Sequence, residues 1–241
     1  MPGPVIAYCG PAAVPEDFWT RWNGDPLLIA ALITLAIVVA RGRAADARAG
    51  WGAIALMAAI FVSPLCALSS ALFSARVLHH VLLIAAVAPL LAMAFPLRRL
   101  ASLPLAALVG AHAVILWLWH TPGVYAWGLA SVPAYWLMLA SLLGSAWLMW
   151  RAILAPAAQP GPAVVALAAT IGQMGLLGAL IVFAPQPLYV VHFASAAAWE
   201  LGPLADQQLA GLLMWVPAIL PYLGVGLWLV WSSLRPAEPA R

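Results

Sequence analysis

The sequence predicts an all-α, polytopic membrane helix bundle that crosses the bilayer about seven times. Two observations predict it. Hydrophobic residues make up 66% of the chain and charged residues 7%, against about 25% charged in a soluble domain. So few charges cannot clothe a water-facing surface, so lipid must be the solvent. The apolar residues also fall into seven stretches near the ~20 residues that one bilayer crossing needs. Bounded by charges and turn residues, they run over roughly 26–41, 51–73, 77–96, 103–119, 134–150, 163–184 and 208–231.

The first stretch is short, opened by Asp25-Pro26 and closed by Arg41. Trp19 and Trp22 before it, and a snorkelling Arg41 after it, can anchor a short span. The loops between stretches are brief, which favours antiparallel neighbours in one bundle. Pro64, Pro89, Pro217 and Pro221 read as kinks tolerated inside a bundle. Gly172, Gly175 and Gly178 recur every third residue and suit close helix approach. The tryptophans, Trp119, Trp127, Trp150 and Trp231 among them, read as interfacial belt and packing residues. The chain then divides into an outer segment 1–25, a membrane domain 26–232 and a short cytoplasmic tail 233–241. No cleavable signal peptide is expected, and the first span would serve as the insertion signal.

Arginine placement sets the orientation. All ten basic residues are Arg. With the N-terminus outside and the C-terminus cytoplasmic, the inner side holds Arg41, Arg43, Arg48, Arg98, Arg99, Arg151, Arg235 and Arg241. The outer side holds Arg21 and Arg76. That asymmetry, carried by short loops, is the positive-inside pattern. The net charge of +3 is dispersed, so nucleic acid is not an expected partner. Cys9 and Cys66 form no CxxC, so neither a thiol redox motif nor a thiolate zinc site is supported.

On this topology the histidines gather at one face. His79 and His80 open the third span and His120 ends the fourth. His192 follows the sixth span, in a segment that reads as solvated, and Asp206-Gln207-Gln208 opens the seventh. His112 lies eight residues deeper than His120, about 12 Å along a helix, where a hydrogen bond to a neighbouring helix accounts for it. His79 and His80 point about 100° apart, and His120 suits a helix C-terminus, where a cation meets the dipole. Imidazole with thioether or carboxylate groups at an outer membrane face can make a site for copper, to which Met214 could add a soft ligand.

Four segments carry a resemblance to a known family. SARVLHHVLLIAAVAPLLAMAFP (74–96), WLWHTPGVYAWGL (117–129), LGALIVFAPQPLY (177–189) and PLADQQLAGLLMWVPAILPYL (203–223) occur in order and at compatible spacing. Together with Trp22-Asn23-Gly24-Asp25-Pro26, they resemble the multi-span CtaG family of cytochrome c oxidase assembly factors over roughly residues 20–232. The resemblance implies a seven-span protein of the bacterial plasma membrane that is not an enzyme. It would help mature a haem-copper oxidase, in or beside copper delivery at the outer face. Its partners would be oxidase subunits or another assembly factor, beside the lipid bilayer. The implied copper residues are His80 and His120, with His79 or Met214 as a third ligand. Arg76 stands where the family usually carries the first histidine of His-x-x-x-His. The fifth span, reading Tyr-Trp-Leu-Met-Leu-Ala-Ser over 135–141, lacks the family's histidines. Two ligands hold Cu(I) weakly, so exchangeable copper or none is expected. Arg76 and Asp206, with Gln207, are expected to share one polar network, Arg76 and Asp206 pairing directly or within it.

Two other functions fit the residues alone. A haem-binding electron carrier would use His80 with His120 or His112. A non-metal interaction or transport protein would use Arg76 and Asp206 as a structural or gating pair. No nucleotide loop, nucleophile-base pair or carboxylate dyad supports an enzyme.

Overall fold

The structure is a computed structural model and describes residues 8–96, 103–155 and 158–234. Arg98, Arg99, Arg235 and Arg241, which carry half of the expected inner arginines, lie outside the described residues. The described elements are helical throughout. In order they are α1 (Pro26–Ala40), α2 (Ala47–Phe61), α3 (Leu65–Ala71), α4 (Phe73–Leu82), a π-helical turn (Leu83–Val87) and α5 (Ala88–Ala94). Then come α6 (Leu105–His120), α7 (Pro122–Leu129), α8 (Val132–Ile153), α9 (Pro160–Phe183), the four-residue α10 (Phe193–Ala196), α11 (Pro203–Trp215) and α12 (Ile219–Leu234).

The starts of these helices follow from local sequence. The Asp25 carboxylate accepts the amides of Leu27 and Leu28 and so caps α1, with Pro26 in its first turn. Asp46 caps α2 and Ser131 caps α8 in the same way. Tyr8 donates its hydroxyl to Asp25. That bond holds the Asp25 carboxyl below the usual carboxylate range.

Four continuous runs are long and apolar enough to cross a membrane: Phe73–Ala94, Val132–Ile153, Pro160–Phe183 and Pro203–Leu234. Two bent pairs bring the number to six if each is one span: α2 with α3 at 46°, and α6 with α7 at 79°. The chain is therefore a multi-helix membrane protein. At 15 residues, α1 reaches about 22 Å against a core of about 30 Å. The bends have sequence causes. Pro64 interrupts α2–α3. Thr121 is extended (φ −70°, ψ 123°), as a residue before proline must be, and Pro122 then restarts the helix as α7.

One expected boundary moves. Residues 74–76 fall in the gap between the second and third stretches, and they belong to the first turn of α4, so the third span starts earlier than 77. The whole reversal from α3 is one extended residue, Leu72 (φ −119°, ψ 135°). Arg76 is consequently not an outer-loop cation but a fully buried residue one turn into the membrane run.

The run Phe73–Ala94 lies at the centre, packed by α2, α3, α8 and α11. Around it α8 meets α6, α6 meets α9, and α9 meets α11 and α12; α1 packs on α2 at the edge. The π turn has a cause. The Ala88 amide bonds five residues back to the Leu83 carbonyl, and the next residue in that register is Pro89, which has no N–H. The Ile84 carbonyl it leaves open accepts Trp150 Nε1 at 2.9 Å. Trp150 and Trp119 are thus core residues rather than belt residues, 0% and 4% exposed. The glycine expectation holds at Gly178. A Cβ there would meet the Gly211 carbonyl oxygen at 2.9 Å, and one at Gly211 would meet the Gly178 oxygen at 2.7 Å. Backbone touches backbone where α9 crosses α11.

Candidate functional site

The first turn of α4 is built by residues far away in sequence. Leu72 breaks the chain, so the α4 amides start without partners. Asp206, from the first turn of α11, supplies them. Its carboxylate accepts Phe73 N at 2.7 Å, Ser74 N at 3.0 Å and the Ser74 hydroxyl. A buried carboxylate at a helix N-terminus is stabilised by the amides and by the dipole. Arg76 does not pair with it: among the described residues, the one ion pair within 4.0 Å is Arg21–Asp17. Instead Arg76 donates Nε to the Ser69 carbonyl at 3.1 Å and Nη1 to the Tyr135 hydroxyl at 3.2 Å. Its guanidinium carbon lies 5.1 Å from the Tyr135 ring centre. The expected Arg76–Asp206 pair is therefore replaced by attachment to the same helix end, because the new amides of α4 claim the carboxylate. Gln207 leaves this cluster as well. One position on around α11, it faces α9, where its oxygen accepts Leu188 N at 2.6 Å and its nitrogen donates to the Ile181 carbonyl at 3.2 Å.

One turn below Arg76 the histidines meet. The His80 and His120 rings stand edge to face with centres 5.8 Å apart, and the His79 and His80 centres are 6.2 Å apart. All three side chains are buried. His120 is anchored by Nδ1, which bonds the Leu116 carbonyl one turn back at 2.7 Å; its own carbonyl accepts the Tyr189 hydroxyl at 2.7 Å. Its Nε2 and both ring nitrogens of His80 have no hydrogen-bond partner among the described residues. Buried polar atoms are paired in the great majority of cases; with Nη2 of Arg76 and both ring nitrogens of His79, these three form a cluster of open buried atoms. His79 packs edge-on against Phe61. Met214 is buried on the face of α11 that carries Asp206 and Ala210. It lies eight residues past Asp206, about 12 Å along the axis.

Among the described residues, the remaining two histidines each keep one ring nitrogen bonded and one open. His112 bonds the Ser145 hydroxyl across α6 and α8 at 2.9 Å, the interhelical bond its position suggested. His192 is not solvated. The short apolar run Val190–Trp199 folds against the bundle, and His192 Nε2 bonds the Tyr125 hydroxyl at 2.6 Å. Burial, with Arg76 adding positive charge, pushes its pKa down to about 4.

The sequence reading missed the tyrosines and the cysteines. Tyr135 joins Arg76 to the Cys9 sulfur, 3.4 Å from its hydroxyl. Cys9 and Cys66 form a disulfide that ties the N-terminal segment to α3. One signal was available: the arginine topology puts both cysteines near the outer face, the side where disulfides persist. Among the described residues, no group of three or more His, Cys, Asp or Glu could hold a metal ion. Any metal here would rest on the two-nitrogen pair, with or without the thioether.

Residues 31–236 match the model of one family, described as cytochrome c oxidase caa3 assembly factor (Caa3_CtaG). No curated protein and no solved structure matches the chain.

Proposed function

The chain belongs to the Caa3_CtaG family of cytochrome c oxidase caa3 assembly factors, and on that premise we propose that it serves a haem-copper oxidase from the outer face of the bacterial plasma membrane. In this reading His80 and His120 are an exchangeable station for Cu(I), the cargo. Family membership indicates a role in assembly rather than catalysis, with an oxidase or its assembly machinery as partner.

The observation that carries the copper part is the buried imidazole pair with three open ring nitrogens. A first-row metal sits about 2.0–2.1 Å from an imidazole nitrogen, so two such nitrogens must come within about 4 Å of each other. Ring centres 5.8 Å apart allow that with small side-chain movement. Neutral imidazole suits copper, and Met214, buried in α11 against the helix that carries His80, would offer a soft third donor. Arg76, four residues before His80, opposes a cation at short range, so binding is weak. A weak, two-nitrogen station suits transfer, because an acceptor with more or softer ligands takes the ion.

Two features support the outward orientation. Arg41 and Arg43 follow α1, Arg48 lies in the first turn of α2 and Arg151 in the last turn of α8, all at the end of the bundle away from His120. The Cys9–Cys66 disulfide belongs in an oxidising compartment, and it lies at the histidine end. Seven crossings follow if α1, though short, spans with the help of Trp22 and Arg41.

Purified protein titrated with Cu(I) against a competing chelator tests the station. Wild type is expected to bind weakly, and His80→Ala and His120→Ala each to lose that binding. Identical curves for all three proteins remove the pair from any copper role. In cells lacking the protein, oxidase activity and membrane copper are measured together. If both histidine variants restore activity fully, the assembly role runs through partner contacts alone.

A further inference from the structure

Beyond that reading, and independent of it, we propose that the end of the bundle opposite the histidines binds one anionic phospholipid. The phosphate would lie against Arg151 and an acyl chain would lie between α6 and α9.

Two adjoining cavities carry this. The first, about 340 Å3, is walled by Arg151 and Ala155 at the end of α8, by Gln159 and Pro162 at the start of α9, and by Leu105. The second, about 390 Å3, shares Leu105 and Pro162 and continues along Ala106 and Gly110 of α6 and Ala166 and Ala169 of α9. The first is the more polar and the second almost wholly apolar. A head and a tail are thus accommodated in sequence. From Pro162 to Ala169 the trough runs about 10 Å along the helix, enough for an acyl segment and, at a helix diameter of about 10 Å, too small for a partner helix.

The chain explains why the trough is there. Ala106 and Gly110 are one turn apart on α6, and Ala166 and Ala169 face them from α9, so no long side chain fills the gap. A Cβ built on Gly110 meets nothing within 4 Å. Arg151 is 5% exposed, so it sits where water screens its charge poorly. A guanidinium in such a place forks onto a phosphate with parallel N–H···O bonds. Basic sites between membrane helices take anionic headgroups for this reason. Gln159 makes no side-chain cap to α9, which leaves its amide on the cavity wall to serve the same phosphate.

Full-length protein in neutral detergent, titrated with phosphatidylglycerol or with phosphatidylcholine of the same acyl chains and read by native mass spectrometry, tests the site. One phosphatidylglycerol should be retained, with a preference of about fivefold: phosphatidylcholine offers the same phosphate but cancels its charge with the choline cation, and one arginine is worth about 1 kcal/mol toward an anionic headgroup. Gly110→Leu should fill the trough and remove that retention while the protein stays folded, since the position is open and leucine favours helix. Arg151→Gln should bring phosphatidylglycerol down to the phosphatidylcholine level. Should Arg151→Gln not fold, Gly110→Leu decides alone. Equal binding of the two lipids by wild type, or full retention in Gly110→Leu, overturns the proposal. Displacement by soluble glycerol 3-phosphate also overturns it, reducing the site to one for free phosphate.

Discussion

The two halves of the central run, Phe73–Leu82 and Leu83–Ala94, sit in the same bundle and obey opposite rules. The second half has no polar side chain. The Ile84 carbonyl, stranded there by Pro89, is closed by Trp150. The first half buries Ser74, Arg76, His79 and His80. It closes its amides through Asp206 and two Arg76 donors through Ser69 and Tyr135, then leaves the His80 nitrogens open. Burying polar groups without partners costs stability. A chain that closes a single carbonyl at one end is able to close imidazoles at the other. Single unpaired atoms also occur elsewhere among the described residues, at Trp147, Gln173 and Tyr222, but they gather at Arg76, His79, His80 and His120, which is what separates the outer half from the inner one.

The largest test of this contrast is Asp206→Ala. It strands two buried amides and the Ser74 hydroxyl, and a loss of about 3–5 kcal/mol is expected, at about 1–3 kcal/mol for each buried donor left unpaired. Unfolding in detergent, followed by tryptophan fluorescence, measures it. A loss below about 1 kcal/mol would mean that water already reaches the α4 start, and the contrast between the halves would collapse. Next in size is Trp150→Phe, expected to cost about 1–3 kcal/mol by leaving the Ile84 carbonyl unpaired. Pro89→Ala supplies the missing N–H, so the double variant should recover most of the loss. If it does not, proline is not the origin of the π turn.

The smallest effect is set by pH. His192 resists protonation in the fold until about pH 4, whereas an unfolded histidine takes a proton near 6.5. Its contribution is complete above about pH 6.5 and is lost as pH falls toward 4, because the unfolded state binds the proton first. The loss reaches about 1.4 kcal/mol by pH 5.5. His192→Phe should flatten this part of the profile relative to wild type. Parallel profiles would show that the His192–Tyr125 contact admits water.

Every apolar stretch in the sequence overlaps a helix, because spans and their caps are local. Asp25-Pro26 opens α1 and Arg41 follows its end, as the residues alone indicate. The position of His80 beside His120 was legible too, since both sit at outer span ends. What could not be read was tertiary. The apolar pattern begins only at 77, yet α4 starts at Phe73 because Asp206, some 130 positions later, caps it. The charges of Arg76 and Asp206 invited a pairing that backbone amides and Tyr135 intercept. His192 looked solvated because Val190–Trp199 is too short to cross a bilayer, yet its apolar residues still fold it onto the bundle. The disulfide needed only topology applied to two cysteines, and there the sequence held more than its motifs did.

The π turn has one more consequence, and it concerns angle rather than energy. A π turn carries one residue beyond what an α-helical path of that length uses, and one residue is worth about 100° of azimuth. Leu83–Val87 therefore offsets the compass bearing of the outer half from that of the inner half. The direction in which His80 points, relative to the face that Trp150 holds, is fixed by a count of residues through a segment that carries no functional side chain at all.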